Sequence, residues 1–284
     1  MRTKVFWELT NYCTARCFYC PAKFWGGEKP RTYEDYYTAI TTIINHYASV
    51  GRYIDWTFTG GELLEINDFP LILKLCKENN GTTEITTNGG TQWLDWWVIE
   101  PYVDSLHLTY HYWQNPNLIK FILQTFSKKN KSFRVTVPIR YNGFEEDLIR
   151  ADKLENEHRL SVTRSILYHD ADPSIGMLGY SESQLERLFG VEWVDVNVRK
   201  KVKLTHKEEF QQLLNVNPSY TGKLCNVGIE FLRINNAGWV SGSFCNTAHL
   251  GNLWNGTLQL PNGPQPCKML SCINLEDQKI TKFN

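Results

Sequence analysis

The run Asn11-Tyr12-Cys13-Thr14-Ala15-Arg16-Cys17-Phe18-Tyr19-Cys20 decides how this chain is read. Its cysteines stand at C-x3-C-x2-C spacing on one short loop, with an aromatic, Tyr19, just before the last. Three thiolates at these offsets suit three irons of a cubane iron–sulfur cluster and leave the fourth iron open to a small molecule. The alternative is a zinc knuckle, for which the loop lacks the fourth ligand of a closed site. Immediately upstream, Val5-Phe6-Trp7-Glu8-Leu9 reads as a strand that delivers the loop.

Working outward, the pattern switches between a period of two and a period of 3.6 six times. Thr32-Tyr33-Glu34-Asp35 has the form of a capping box opening a helix to about Ser49. Strands are expected at 53–58, 83–87, 105–110, 133–140 and 161–168. Helices are expected at 67–79, 91–99, 117–128, 145–155 and 183–189. Strands separated by such helices imply a parallel sheet with right-handed crossovers, and six units suggest an incomplete, open barrel. Reactive groups then belong on loops leaving the C-terminal ends of the strands.

Several chemistry-bearing residues fall at those ends. Thr59-Gly60-Gly61-Glu62 follows the second strand; paired glycines admit close backbone approach, and the carboxylate can accept bonds from an amine. Thr86-Thr87-Asn88-Gly89 ends the third. On the fourth, alternation puts His107, Thr109 and His111 on one face, which makes His111 a general acid/base candidate if that face lines the barrel. Arg140 ends the fifth strand and suits a carboxylate partner. Arg164 and His169 on the sixth are further pocket candidates.

The cysteine spacing, the Gly-Gly-Glu element and the Thr-Asn-Gly element together resemble the radical SAM superfamily. The resemblance implies a partial (β/α)6 TIM-like barrel over residues 1–190. It implies a 4Fe-4S cluster on Cys13, Cys17 and Cys20 whose open iron chelates S-adenosylmethionine, with Tyr19 beside the cofactor. It implies that Gly60, Gly61 and Glu62 hold the amine of S-adenosylmethionine, that Asn88 lies at the nucleoside, and that Thr109 contacts the ribose. Arg140 is the candidate for the carboxylate. Leu63 replaces the proline often found after the Gly-Gly-Glu element.

After about Gly190 the alternation stops. Two apolar strands around an Asn/Gly-rich turn, Phe231 to Cys245, bring their flanking cysteines near each other. Cysteine, hairpin, cysteine, Leu250-Gly251-Asn252-Leu253 and the closing pair Cys267 and Cys272 resemble the twitch form of the SPASM/twitch extension, a β-hairpin plus short helix over residues 191–284. That resemblance implies one auxiliary 4Fe-4S cluster on Cys225, Cys245, Cys267 and Cys272. The closing C-x4-C spacing is a departure, and sequence does not separate iron–sulfur from a Zn(Cys)4 site. A cluster with no open iron is left electron transfer or structural support.

Composition bounds the rest. The 284 residues bury a sizeable core, and the eight cysteines in a reducing compartment argue for metal over disulfides, with Cys76 an ordinary buried thiol. Thirty basic residues balance thirty acidic ones, which disfavours nucleic acid and anionic membrane as partners despite the run Arg199-Lys200-Lys201-Val202-Lys203. No membrane-spanning run and no signal peptide are read, so a cytoplasmic enzyme is expected. The expected activity is reductive cleavage of S-adenosylmethionine to a 5′-deoxyadenosyl radical, followed by oxidation or rearrangement of a small molecule. An electron donor such as flavodoxin or ferredoxin is implied. The alternatives are modification of a peptide side chain and a non-catalytic iron–sulfur or zinc protein. With the loop beginning at Cys13 and no preceding leader-binding domain, a small molecule or a short presented peptide is the favoured substrate.

Overall fold

The first strand, β1 (Arg2–Thr10), sets the plan of the molecule. Val5, Trp7 and Leu9 are buried, whereas Lys4, Phe6 and Glu8 on the other face are only partly covered. This is the two-residue period of an extended chain, and it gives the sheet one apolar and one polar face. The computed structural model describes residues 1–20, 22–24, 26–90, 92–129, 131–167, 179–190, 220–245, 248–269, 272 and 274–283.

Strands β2 (Tyr53–Gly60), β3 (Thr82–Thr87), β4 (Ser105–Thr109), β5 (Ser132–Ile139) and β6 (Val162–Ile166) follow β1 in sequence order, each parallel to the last. Helices α1 (Tyr33–Ser49), α2 (Phe69–Glu78), α3 (Trp93–Ile99), α4 (Pro116–Lys128) and α5 (Phe144–His158) connect them, and α6 (Glu182–Phe189) follows β6. The Thr32–Asp35 capping box is formed, with both reciprocal bonds present. Tyr36, Ala39, Ile40, Ile43 and Tyr47 make the helical stripe that α1 buries against the apolar face of the sheet. Trp7 sits among Tyr36, Trp56, Phe58 and Trp254, so several of the ten tryptophans are core rather than pocket. Truncating a residue like Trp7 to alanine costs about 3–5 kcal/mol.

Three short strands extend the sheet on the other side of β1. After β7 (Leu224–Cys225), β8 (Phe231–Ile234) runs parallel to β1, with Phe6 opposite Arg233. β9 (Trp239–Ser241) and β10 (His249–Asn252) continue antiparallel. The expected hairpin is therefore present, and it extends the main sheet, whose order is β10-β9-β8-β1-β2-β3-β4-β5-β6. Its edges, β10 and β6, do not meet, so the barrel is open. The Tyr47 hydroxyl donates to the Gly228 carbonyl and ties α1 to the chain entering β8.

β11 (Gln265–Pro266) and β12 (Lys282–Phe283) flank β7 in a second, three-stranded antiparallel sheet, with α7 (Leu275–Lys279) before β12. Among the described residues no helix is long and apolar enough to cross a membrane. The basic run at 199–203 and His169 lie outside the described residues.

Candidate active site

β1 ends at Thr10, whose hydroxyl accepts a bond from the Tyr12 amide at 2.9 Å as the chain turns into the cysteine loop. The loop closes on itself: the Cys20 amide donates to the Cys17 carbonyl, and the Gly26 amide to the Cys13 carbonyl. Glu65 clamps it from outside, accepting from the Thr14 hydroxyl at 2.6 Å and from the Thr14 amide at 3.1 Å. Cys13, Cys17 and Cys20 are all partly exposed. Burial pushes the Cys13 thiol up to about 11; the Ala15 amide offsets part of this, and Glu62, Glu65 and Cys17 add to it. Such a thiol is a poor free nucleophile. A bound cation would deprotonate it, so the donor set fits a cationic iron cluster.

The Gly-Gly-Glu segment lies against this loop. The Gly61 amide donates to the Thr10 carbonyl at 2.7 Å and the Glu62 amide to the Tyr12 carbonyl at 2.8 Å. A Cβ on Gly61 would stand 2.1 Å from the Tyr12 carbonyl oxygen. At Gly60, with φ of +138°, one would stand 2.1 Å from that of Thr10. The glycines thus admit close approach between two loops, where the sequence suggested approach to a ligand.

Glu62 also differs from expectation. It is 1 % exposed, and its carboxylate accepts from Thr87 Oγ1 at 2.5 Å, the Asn88 amide at 2.9 Å and the Leu64 amide at 3.0 Å. Burial raises its pKa against the pull of these donors. The carboxylate is engaged inside the protein and stitches the β2 and β3 loops together.

Between these loops opens a cleft of about 500 Å³ lined by Tyr12, Thr14, Glu65, Asn88, Asp95 and Trp113 among others. Asn88 caps its own turn, its Oδ1 accepting from the Gly90 amide. Thr109 stands opposite Thr136 on the polar face of the sheet, where His107 Nε2 is hydrogen-bonded to Thr136 Oγ1 at 2.8 Å.

His111 lies just beyond β4, buried between two rings. It is hydrogen-bonded through Nδ1 to the Tyr19 hydroxyl and stacks on Trp113 with centroids 5.4 Å apart. Burial, with Arg150 adding to it, lowers its pKa to about 4. Tyr19 and Trp113 engage the ring, and its lowered pKa departs from the near-neutral value that suits a general base.

Arg140 is likewise already occupied. Its Nε and Nη2 grip the two oxygens of the fully buried Asp147 at 2.8 and 3.0 Å, and its guanidinium lies 3.9 Å from the centroid of the Tyr112 ring. The carboxylate it was expected to bind is one of the protein's own. Arg164 is taken up by Asp152 and Glu155 of α5, which removes it as a pocket candidate.

The C-terminal cysteines converge. Cys225, Cys267 and Cys272 are buried, and Cys245 is partly so. The Cys225 thiol feels Cys267 and Cys272, and the Cys272 thiol feels Cys245. Burial pushes Cys225 up to about 11, with the Lys282 ammonium offsetting part of the rise. Phe6, Phe231 and Phe244 pack beside them. Among the described residues no three His, Cys, Asp or Glu side chains are grouped to hold a metal ion. A cubane spreads its ligands over four irons.

Sequence reasoning missed Glu65, Trp113 and the buried Asp277, whose Oδ1 accepts from the Phe244 amide at 2.9 Å next to Cys245. No motif marks them: Glu65 and Asp277 act through contacts distant in sequence, and Trp113 through its stacking on His111.

The α/β fold with its parallel six-stranded run matches solved structures of radical SAM enzymes. One is anSMEcpe with bound AdoMet, at 13% identity and a TM-score of 0.53, covering 90% of this chain and 79% of that one. Another is Streptococcus suis SuiB bound to precursor peptide SuiA, at 16% identity and a TM-score of 0.54, covering 90% of this chain and 63% of that one. At such identities the likeness is one of fold. No family model and no curated protein matches the chain.

Proposed function

We propose that the chain is a radical SAM enzyme that abstracts a hydrogen atom from a bound small molecule and oxidises or rearranges it. One observation carries this: three thiols gathered on one loop at the C-terminal end of β1, locked to the Gly60-Gly61-Glu62 segment and clamped by Glu65. In this reading Cys13, Cys17 and Cys20 hold the 4Fe-4S cluster. Cys225, Cys245, Cys267 and Cys272 hold an auxiliary one in the region 191–284. When bound, the first cluster supplies the electron that cleaves S-adenosylmethionine to a 5′-deoxyadenosyl radical, and the second takes up the electron left on the substrate.

The chain's own residues orient and select. Among the described residues the cleft beside the loop has Glu65 and Asp95 in its lining and no Lys or Arg, a field suited to a sulfonium and ammonium cation. Trp113 offers a ring face to such a cation. Asn88 borders the same cleft, as a nucleoside contact would. Glu62, held inside by Thr87 and Asn88, shapes the backbone at Gly60 and Gly61 that would meet the amine. Electrons come from a donor such as flavodoxin or ferredoxin.

A second reading, modification of a peptide side chain, is favoured by the peptides that two similar folds hold: SuiA in SuiB, and the Cp18Cys peptide in anSMEcpe. Both readings are tested by reducing the anaerobically reconstituted protein with S-adenosylmethionine present. Release of 5′-deoxyadenosine, abolished by Cys17→Ala, is expected, with about eight irons and eight sulfides per chain. No release would leave a non-catalytic iron–sulfur or zinc protein. Zinc with about four irons would remove the auxiliary cluster alone.

A further inference from the structure

Arg233 leaves much of its fork unused. Arg140 and Arg164 each grip carboxylates through several bonds at 3.1 Å or less, whereas Arg233 reaches Glu8 through Nη2 alone, at 3.3 Å. Its Nε is buried and has no hydrogen-bond partner among the described residues. Glu8 is shared with Lys23 at 3.6 Å, so one carboxylate faces two cations.

The guanidinium opens onto a cavity of about 630 Å³, lined by Arg233, Asn235, Trp239, Ser241, His249 and Gly251 among others, with no acidic residue among the described residues of the lining. The register explains the grouping. Phe6 stands opposite Arg233, Arg233 opposite Ser241, and Ser241 opposite His249, so the four form one row across β1, β8, β9 and β10. Paired residues on neighbouring strands share a face, here the polar one. Two residues beyond Phe6 on that face is Glu8, and the strand then ends in the cysteine loop. On the other side Arg233 lies 5.0 Å from the ring of Phe244, the neighbour of Cys245. The row therefore lies between the two cysteine sets.

We infer that this cavity binds a carboxylate anion with a planar or apolar body. Arg233 takes the carboxylate through the guanidinium N–H groups that its single bond to Glu8 leaves free, and His249 supplies a further donor. Trp239, 57 % exposed, offers the face on which the body lies. That the anion is the enzyme's substrate, a carboxylic acid or a peptide acidic group, rests on the radical SAM reading; the anion site itself does not.

The test uses the full-length reconstituted protein and two probes of equal shape, 3-phenylpropionate and its neutral amide, titrated calorimetrically. The carboxylate is expected to bind about tenfold or more tightly than the amide, the effect of one charge-assisted pair. Arg233→Gln should abolish that preference, and Trp239→Ala should weaken both probes alike. Equal affinity for the two probes, binding of neither, or an undiminished preference in Arg233→Gln would overturn the site. Should Arg233→Gln fail to fold, His249→Ala at the exposed end of the row must still cut the preference, and an unchanged preference there refutes the inference. Wild-type release of 5′-deoxyadenosine is scored separately, so selective anion binding without it would sink the enzyme reading and leave the site standing.

Discussion

The Tyr19 hydroxyl is hydrogen-bonded to Nδ1 of His111, tying the ring ahead of the last loop cysteine to the chain just beyond β4. Both groups are kept neutral. Burial raises the phenol's pKa far above its ordinary range, Cys17 adding to the rise, and burial lowers that of the imidazole. The direction of the bond follows the imidazole tautomer. Stacking of His111 on Trp113 carries the tie onward to the wall of the cleft.

Tyr19→Phe keeps the ring and removes the hydroxyl. Losing the bond to His111, with a buried ring nitrogen left unpaired, should cost about 1–3 kcal/mol. Because the bond anchors the cysteine loop, the variant should also lose iron faster under chelator challenge, with far-ultraviolet dichroism unchanged. Wild-type melting and iron retention would show that the contact holds nothing in place.

His111 also fixes a pH dependence. Its folded pKa, about 4, lies below the ordinary histidine value, so the folded state refuses a proton that the unfolded chain accepts. Above about pH 6.5 both states are neutral and the stability is complete; it is lost as pH falls toward 4. Between pH 6.5 and 5 the loss amounts to roughly 2 kcal/mol. His107 and His158 shift in the same direction, so the informative measurement is a difference. His111→Gln should show a smaller drop in melting temperature from pH 7 to pH 5 than the wild type. Equal drops would mean that His111 titrates normally.

The strand–helix alternation was legible because period and caps are local: Thr32 and Asp35 close their capping box within one turn. The three loop cysteines stood out because their offsets place them on one short loop after β1. What was not legible is which polar group meets which. Arg140 was expected to take a ligand's carboxylate, until the turn between β5 and α5 set it against Asp147. Gly60 and Gly61 signal close approach without naming the partner, which proved to be Thr10 and Tyr12. The pairing of β8 with β1 joins opposite ends of the chain, and no local pattern encodes it.

Glu65 illustrates the same limit and gives a clean test. It lies in the turn after β2 and holds Thr14, the first of the three residues between Cys13 and Cys17, through hydroxyl and amide. The contact is exposed, so Glu65→Ala should leave the fold and its melting nearly unchanged. Iron loss from the loop to a chelator should quicken on the order of tenfold, the effect of one charge-assisted bond. Thr14→Ala removes the hydroxyl bond alone and should fall between. Unaltered iron loss in both variants would show that the loop holds its shape without the clamp.

Glu62 separates two roles that the Gly-Gly-Glu element combines. If its carboxylate only held the amine of S-adenosylmethionine, Glu62→Gln would weaken that ligand and leave the free protein's stability alone. In the structure the carboxylate is buried and accepts three bonds, from Thr87, Leu64 and Asn88. A glutamine amide presents one acceptor and one donor, so its NH2 group must face a donor. The buried mismatch should destabilise the unliganded protein by about 1–3 kcal/mol. Glu62→Ala, which leaves those three donors without their acceptor, should cost at least as much. Thermal melting without S-adenosylmethionine, set beside calorimetric binding of it, reads the two roles apart. A lower melting temperature in both variants supports the stitching role, whereas unchanged melting with weakened binding returns Glu62 to the ligand.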